Sequence, residues 1–234
     1  MTYSDIGPDQ RLSFPGILRM LQEAAALASD QCGYGLKDTD RNGVCWLLTG
    51  WRVEFLDRPG WTAPIRVETW PRTFDGFLSD RDFLVWSGDT LAAKGTSRWF
   101  LVSTTTWRIT RITDEIRAAY SIDTASVFDA PPPSNGRTPD DAAVTFTTVA
   151  GRRDIDTNRH VNNIHYLDYA LEALPEEVFQ NLPANVEIAY RKQILHGTAI
   201  RCLYCLTEDG KHQVEIRSED ESGKSVHHAY IWFY

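Results

Sequence analysis

DIDTNRHVNNIHYLDYALEALP, residues 154–175, decides how the rest of the chain is read. Ile164, Leu167, Leu171 and Leu174 fall at i, i+3, i+7 and i+10, which puts four aliphatic side chains on one face of an α-helix. Asn162 and Asn163 stand where an N-cap belongs, and Pro175 ends the pattern. Ahead of the helix come Asp156, Asn158 and His160. A carboxylate, an amide and an imidazole at alternate positions project to one side if this lead-in is extended. They also precede a helix N-terminus, whose unpaired N–H groups and positive dipole end favour a developing negative charge. Such a set suits acyl transfer. The same residue types serve as turn and cap residues beside a packed histidine, and spacing alone leaves both readings open.

Outward from this stretch the chain reads as two similar halves. Residues 14–31 carry Phe14, Leu18, Leu21, Ala25 and Ala28 at helical spacing, with Ser13 as N-cap and Pro15 in the first turn. Strand-like segments follow, with turn signals at Asp57-Arg58-Pro59-Gly60 and Ser87-Gly88-Asp89. Residues 113–119 read as a short helix capped by Thr113, and residues 121–142, rich in Pro, Asp and Ser, as an interdomain linker. A strand at 143–149 then leads into the quoted stretch, and further strands are expected within 185–195, 198–208, 212–220 and 224–234. WTAPIRVETW (61–70) parallels GTAIRCLYCL (197–206), and LAAKGTSRWF (91–100) parallels KSVHHAYIWF (224–233). The expected fold is α+β, a tandem (double) hotdog: each half wraps a curved antiparallel sheet around a long central helix, with an N-terminal domain at 1–120 and a C-terminal domain at 143–234.

Bulk properties narrow the function. A formal net charge of −8 over 234 residues argues against nucleic acid as a partner. No apolar run approaches the roughly 20 residues of a membrane span. The opening MTYSDIGPDQ resembles neither a secretory signal nor a transit peptide, so the cytoplasm is the expected location. Cys202 and Cys205 form a CxxC pair, but residues three apart on a strand face opposite ways and no second pair exists. They read as ordinary strand cysteines, and neither metal nor cofactor is expected. His227 and His228 are adjacent and therefore on opposite strand faces.

DIDTNRHVNNIHYLDYALEALP also resembles the D-x-N-x-H-V-N-N-x-x-Y segment of plant-type acyl-acyl-carrier-protein thioesterases, a family with bacterial members. WLLTGWRVEFLDRPGWTAPIRVETWPRT (46–73) and SRWFLVSTTTWRITRITDEIRAAY (97–120) resemble its first-domain segments, and the likeness runs from about Phe14 to the C-terminus. The resemblance implies hydrolysis of a fatty acyl thioester borne on the phosphopantetheine arm of acyl carrier protein; the alternatives are an acyl-CoA thioesterase on the same fold and a non-catalytic acyl-binding relative. The family's catalytic Asp, Asn and His fall on Asp156, Asn158 and His160. Its strand with a catalytic acid reads Tyr190-Arg191-Lys192-Gln193-Ile194 here, so Gln193 replaces the carboxylate and Ile194 stands where plant members have cysteine. In these terms Asp156 is base or nucleophile, and Asn158 donates to the carbonyl or fixes the carboxylate. His160 serves the nucleophilic centre and the leaving thiolate, and Gln193 orients water. The backbone N–H groups of Val161, Asn162 and Asn163 are candidates for oxyanion stabilisation. Because the carrier protein is acidic, Arg152, Arg153, Arg159, Arg191 and Lys192 are candidates for docking it. Trp46, Trp51, Trp70 and Phe83 are candidates for an acyl pocket between the first helix and its sheet. Oligomeric state stays open, a homodimer included.

Overall fold

Ser13 Oγ accepts the Gly16 N–H at 3.0 Å and opens helix α1 (Phe14–Gln31), with Pro15 in the first turn where no donor is missed. In the computed structural model, which describes residues 1–234, α1 belongs to the first of two units, Met1–Pro132 and Pro133–Tyr234. After the short helix α2 (Thr39–Asn42) come strands β1 (Val44–Phe55), β2 (Ile65–Asp75), β3 (Leu78–Ser87) and β4 (Thr90–Ser103). They pair antiparallel in the order β2-β3-β4-β1. Trp51, Val53 and Phe55 are buried at alternate positions of β1, as the pleat requires, and Ile17, Leu18, Leu21 and Ala25 form the buried stripe of α1. Phe14 stacks on Phe55 with ring centroids 3.7 Å apart. Helix and sheet approach closely: a Cβ added to Gly95 of β4 would lie 3.0 Å from Leu21 Cδ1.

Thr113 caps α3 (Asp114–Ala119), and Ile116 and Tyr120 join Phe74, Leu101 and Ile112 in a second cluster with Trp46 against it. The four aromatics expected near an acyl pocket are all engaged. Trp51 and Phe83 are fully buried with centroids 5.2 Å apart. Trp46 donates to the Tyr120 hydroxyl at 3.0 Å, and Trp70 to the Ala125 carbonyl at 2.9 Å.

The expected linker is bound down along its length. Val127 N–H donates to Asp82 Oδ2 at 2.9 Å and Arg52 to the Ala130 carbonyl at 3.1 Å within the first unit. Within the second, Arg191 donates to the Ser134 carbonyl at 2.9 Å and Gln213 to the Arg137 carbonyl at 3.1 Å. Its backbone adds hydrogen bonds to polar side chains of the sheets.

The second unit holds β5 (Ala143–Val149), α4 (Asn163–Glu172), α5 (Glu176–Gln180), β6 (Asn185–Tyr190), β7 (Ala199–Leu206), β8 (His212–Glu219) and β9 (Ser225–Phe233). Its sheet is antiparallel in the order β6-β9-β8-β7-β5, with α4 packed on β8 and β9. Ile164 and Leu167 are buried as the spacing requires, and Tyr166, Tyr169 and Ala170 widen the stripe. Pro175 caps α5 rather than ending α4, which stops at Glu172. The strand expected over 185–195 is also shorter. It ends at Tyr190, because the next two N–H groups, Arg191 at 2.8 Å and Lys192 at 3.3 Å, both turn onto the His228 carbonyl beside a register shift in β9. Gln193 therefore lies on a loop, not a strand. No helix is long and apolar enough to cross a membrane.

Candidate active site

The lead-in to α4 is not extended. Ile155 and Val161 form an antiparallel bridge, the Asp156 N–H donates to the His160 carbonyl at 2.9 Å, and the Arg159 N–H donates to the Asp156 carbonyl at 3.0 Å. Arg159 turns the corner with φ of 66°. An Asx turn helps hold the corner: Asp156 Oδ1 accepts the Asn158 N–H at 2.8 Å. Alternation along a strand is thus not what gathers the polar residues. The tight loop instead brings Asp156 and His160 together across its neck, with Oδ1 and Nδ1 3.7 Å apart and side chains only 18% and 16% exposed. Asn158 and Arg159 are exposed at the tip, and it is the backbone of Asn158 that meets Asp156. With Oδ1 committed to the turn, Oδ2 is the oxygen open to a reacting group.

Two of the three candidate oxyanion donors are spent. The Val161 N–H donates to the Ile194 carbonyl at 2.8 Å, and the Asn162 N–H to the Asp154 carbonyl at 2.8 Å. The Asn162 side chain caps α4 through the Ile164 N–H at 3.1 Å. Only the Asn163 N–H has no such bond, because the loop neck and the helix cap use the other donors.

Gln193 is exposed on the loop after β6, and the peptide groups on either side of it are held. The buried Tyr166 hydroxyl accepts the Ile194 N–H at 3.0 Å and makes a long 3.5 Å bond to the Lys192 carbonyl. Burial pushes this phenol well above its usual range, with the nearby Asp156 charge adding to the effect and the Ile194 bond opposing it. Tyr166 therefore stays a neutral donor. Tyr190 donates to the Asn163 carbonyl at 3.0 Å and meets the Tyr166 ring edge-on. His228 Nδ1 also reaches the Lys192 carbonyl, at 2.9 Å, so this nitrogen carries the proton and Nε2 accepts from Ser218 Oγ at 2.8 Å. Burial lowers the His228 pKa. The Ser218–His228 pair looks like a nucleophile and base, yet both are buried and the third partner is a carbonyl. It positions the Gln193 loop.

Tyr166 closes the D-x-N-x-H-V-N-N-x-x-Y segment and alternation sets His228 apart from His227, but neither pattern assigns a partner or a role. The signal for Tyr166 was a hydroxyl on the apolar face of α4. For His228 the strand pattern gave the burial but no partner. No cysteine offers a nucleophile at the loop: Ile194 is buried, and burial pushes the Cys202 thiol up to about 12. Arg152, Arg153, Arg159, Arg191 and Lys192 are all exposed.

The first unit contains the same lead-in without the chemistry. Asp5 and Asp154 each end a short 3-10 turn, accepting the N–H three residues back at 2.6 and 2.7 Å. Ile6 pairs with Leu12 as Ile155 pairs with Val161. The Gly7 N–H donates to the Arg11 carbonyl at 2.8 Å, and the Gln10 N–H to the Gly7 carbonyl at 2.9 Å, with Gln10 at φ 61°. The Leu12 N–H reaches the Pro59 carbonyl as the Val161 N–H reaches Ile194, so Arg58 corresponds to Gln193. Gly7, Asp9 and Arg11 then stand where Asp156, Asn158 and His160 stand, and Arg58 pairs with Asp9 at 2.8 Å. The loop forms without a carboxylate or imidazole at its neck. Asp154, by contrast, has a structural counterpart in Asp5, and its second partner is the Tyr169 hydroxyl at 3.0 Å.

Comparison with known proteins follows the same division. The acyl-ACP thioesterase N-terminal domain model matches residues 1–120 and the C-terminal domain model residues 140–233. The oleoyl-acyl carrier protein thioesterase of Coriandrum sativum is 23% identical over 217 residues, covering 85% of this chain and 59% of that protein. The dodecanoyl-[acyl-carrier-protein] hydrolase of Cinnamomum camphora is 28% identical over 216 residues, covering 85% and 56%. The chain thus spans little more than half the length of these relatives. Among solved structures, an acyl-ACP thioesterase from Bacteroides thetaiotaomicron superposes with a TM-score of 0.84 at 20% identity, covering 99% of this chain and 94% of that one. The 12:0-ACP thioesterase of Umbellularia californica gives 0.84 at 21%, covering 100% and 93%. These likenesses establish the fold.

Proposed function

The chain belongs to the acyl-ACP thioesterase family, and on that premise we propose that it hydrolyses the thioester of a fatty acyl chain on acyl carrier protein, releasing the free acid. The observation that carries the reading is the internal comparison. Residues 7–11 follow the same backbone course with glycine and arginine at the positions of Asp156 and His160, and with Asp9 at the tip accepting the Arg11 N–H at 3.1 Å, so the loop requires neither a carboxylate nor an imidazole at its neck.

In the proposed reaction Asp156 acts through Oδ2, as base toward water or as the attacking carboxylate. The Asn158 N–H holds the carboxylate's orientation, and His160, 3.7 Å from Oδ1, supplies a proton to the departing thiolate, which needs little help because thiols are fairly acidic. Gln193 holds a water by its amide oxygen and takes no proton, which leaves the base role to Asp156. The N–H left open at Asn163 is the candidate oxyanion donor on the backbone. The carrier protein is met by exposed cations around the loop, Arg153 and Arg159 foremost. The test is release of free thiol from matched acyl-carrier-protein and acyl-CoA substrates of one chain length. Turnover of the carrier substrate supports the reading, and turnover of acyl-CoA alone overturns its substrate.

A further inference from the structure

A cleft of about 310 Å³ opens in the second unit between the 133–138 strap, the loop after β6 and strand β9, lined by Asn135, Arg191, Lys192, Val226, His227 and Tyr230. Its walls are fixed in advance. A Cβ on Gly136 would lie 2.5 Å from the Tyr230 ring and 2.7 Å from Trp232, so only glycine lets the strap lie this flat. Thr138 donates to Glu215, Gln213 holds the Arg137 carbonyl, and Arg191 is aimed by its 2.9 Å bond to the Ser134 carbonyl.

The chemistry of the lining is cationic. Glu215 is fully buried beneath it, but Arg217 at 2.6 Å matches that charge. Glu215 also accepts from His227 Nδ1, and a carboxylate has no proton to give, so Nδ1 carries the ring's hydrogen there and His227 is committed to Glu215 as part of the wall. Arg191 and Lys192 then stand over the cleft with no carboxylate bonded to either. On a chain of net charge −8 this is a local reversal of sign, and a concave patch of one sign concentrates counter-ions. A guanidinium and an ammonium from consecutive residues at the rim of the cleft suit the several oxygens of a tetrahedral anion.

We infer that this cleft binds a phosphate ester, and specifically the phosphodiester end of the pantetheine arm that carries the acyl group. The assignment rests on the thioesterase reading for the arm, though not for the anion. Lys192 precedes Gln193, and its carbonyl is held by Tyr166 and His228, so anchor and candidate site share one fixed loop.

Binding is tested without turnover, by titrating 4′-phosphopantetheine, pantetheine and inorganic phosphate into the intact protein and following heat or amide resonances. Phosphopantetheine is expected to bind about tenfold more tightly than pantetheine, as one or two charge-assisted hydrogen bonds imply. Lys192→Gln, which removes a side chain with no bonding partner in the fold, should erase most of that difference, while Arg201→Gln on β7 should keep it. Equal binding of the two compounds, or a difference that survives Lys192→Gln, overturns the site. Inorganic phosphate binding as tightly as phosphopantetheine overturns the arm as its occupant. None of these outcomes depends on thioester hydrolysis, so the cleft and the activity stand or fall separately.

Discussion

His160 Nδ1 lies 3.7 Å from Asp156 Oδ1, across the neck of a loop whose first-unit counterpart has Arg11 and Gly7 at those places. The separation is beyond a hydrogen bond, so neither group is committed to the other and both can turn to a bound substrate or water. His160→Ala should therefore lower turnover by about 10²–10⁴-fold, the usual worth of a general acid–base group, while thermal unfolding changes little. Retained turnover in a folded variant would remove His160 from the chemistry.

Tyr166→Phe should destabilise the protein. It leaves the Ile194 N–H, in a residue with no exposed surface, without its 3.0 Å acceptor. An orphaned buried donor costs about 1–3 kcal/mol, to be read from urea unfolding, with a parallel fall in turnover as the Gln193 loop loosens. Unchanged stability would show that water replaces the hydroxyl.

The His228 pKa is depressed by burial below its ordinary 6.5. A histidine held neutral in the fold but protonated when unfolded stabilises fully above the ordinary value. That contribution is lost as pH falls below it, until the folded pKa is reached. Stability should thus fall as pH drops through about 6.5, and His228→Gln should lack that component of the fall. Parallel pH profiles for the two proteins would contradict the assignment.

Arg153 and Arg159 are exposed beside the loop. Reversing both charges should weaken carrier-protein substrates and spare acyl-CoA, and added salt should mimic the change, since exposed charges are screened over about 8 Å at physiological ionic strength. Equal losses on both substrates would mean that these residues support the loop instead.

Much of this was legible in the residues. The apolar spacing from Ile164 to Leu171 gave α4, Ser13 and Pro15 gave the start of α1, and the paired segments at 61–70 and 197–206 announced two related units. The lead-in was misread because an Asx turn at Asp156 and a left-handed Arg159 leave no period to detect. The end of β6 is hidden for a related reason: a register shift in the partner strand stops it, and Arg191-Lys192-Gln193-Ile194 carries no Gly or Pro to mark the stop. The repeated lead-in shows in the sequence only as Asp5-Ile6 and Asp154-Ile155, a match of two residues, whereas the hydrogen bonds repeat throughout the loop.

The central claim, that Asp156 rather than position 193 carries the base, is tested most directly by thiol release from an acyl-carrier-protein substrate. Wild type, Asp156→Asn, Gln193→Ala and Gln193→Glu are compared side by side. Wild type should turn over, and Asp156→Asn should fall by about 10²–10⁴-fold. Gln193→Ala should lose no more than about tenfold, the worth of one orienting hydrogen bond. A folded wild type that releases no thiol, alongside a Gln193→Glu variant that does, would contradict the account.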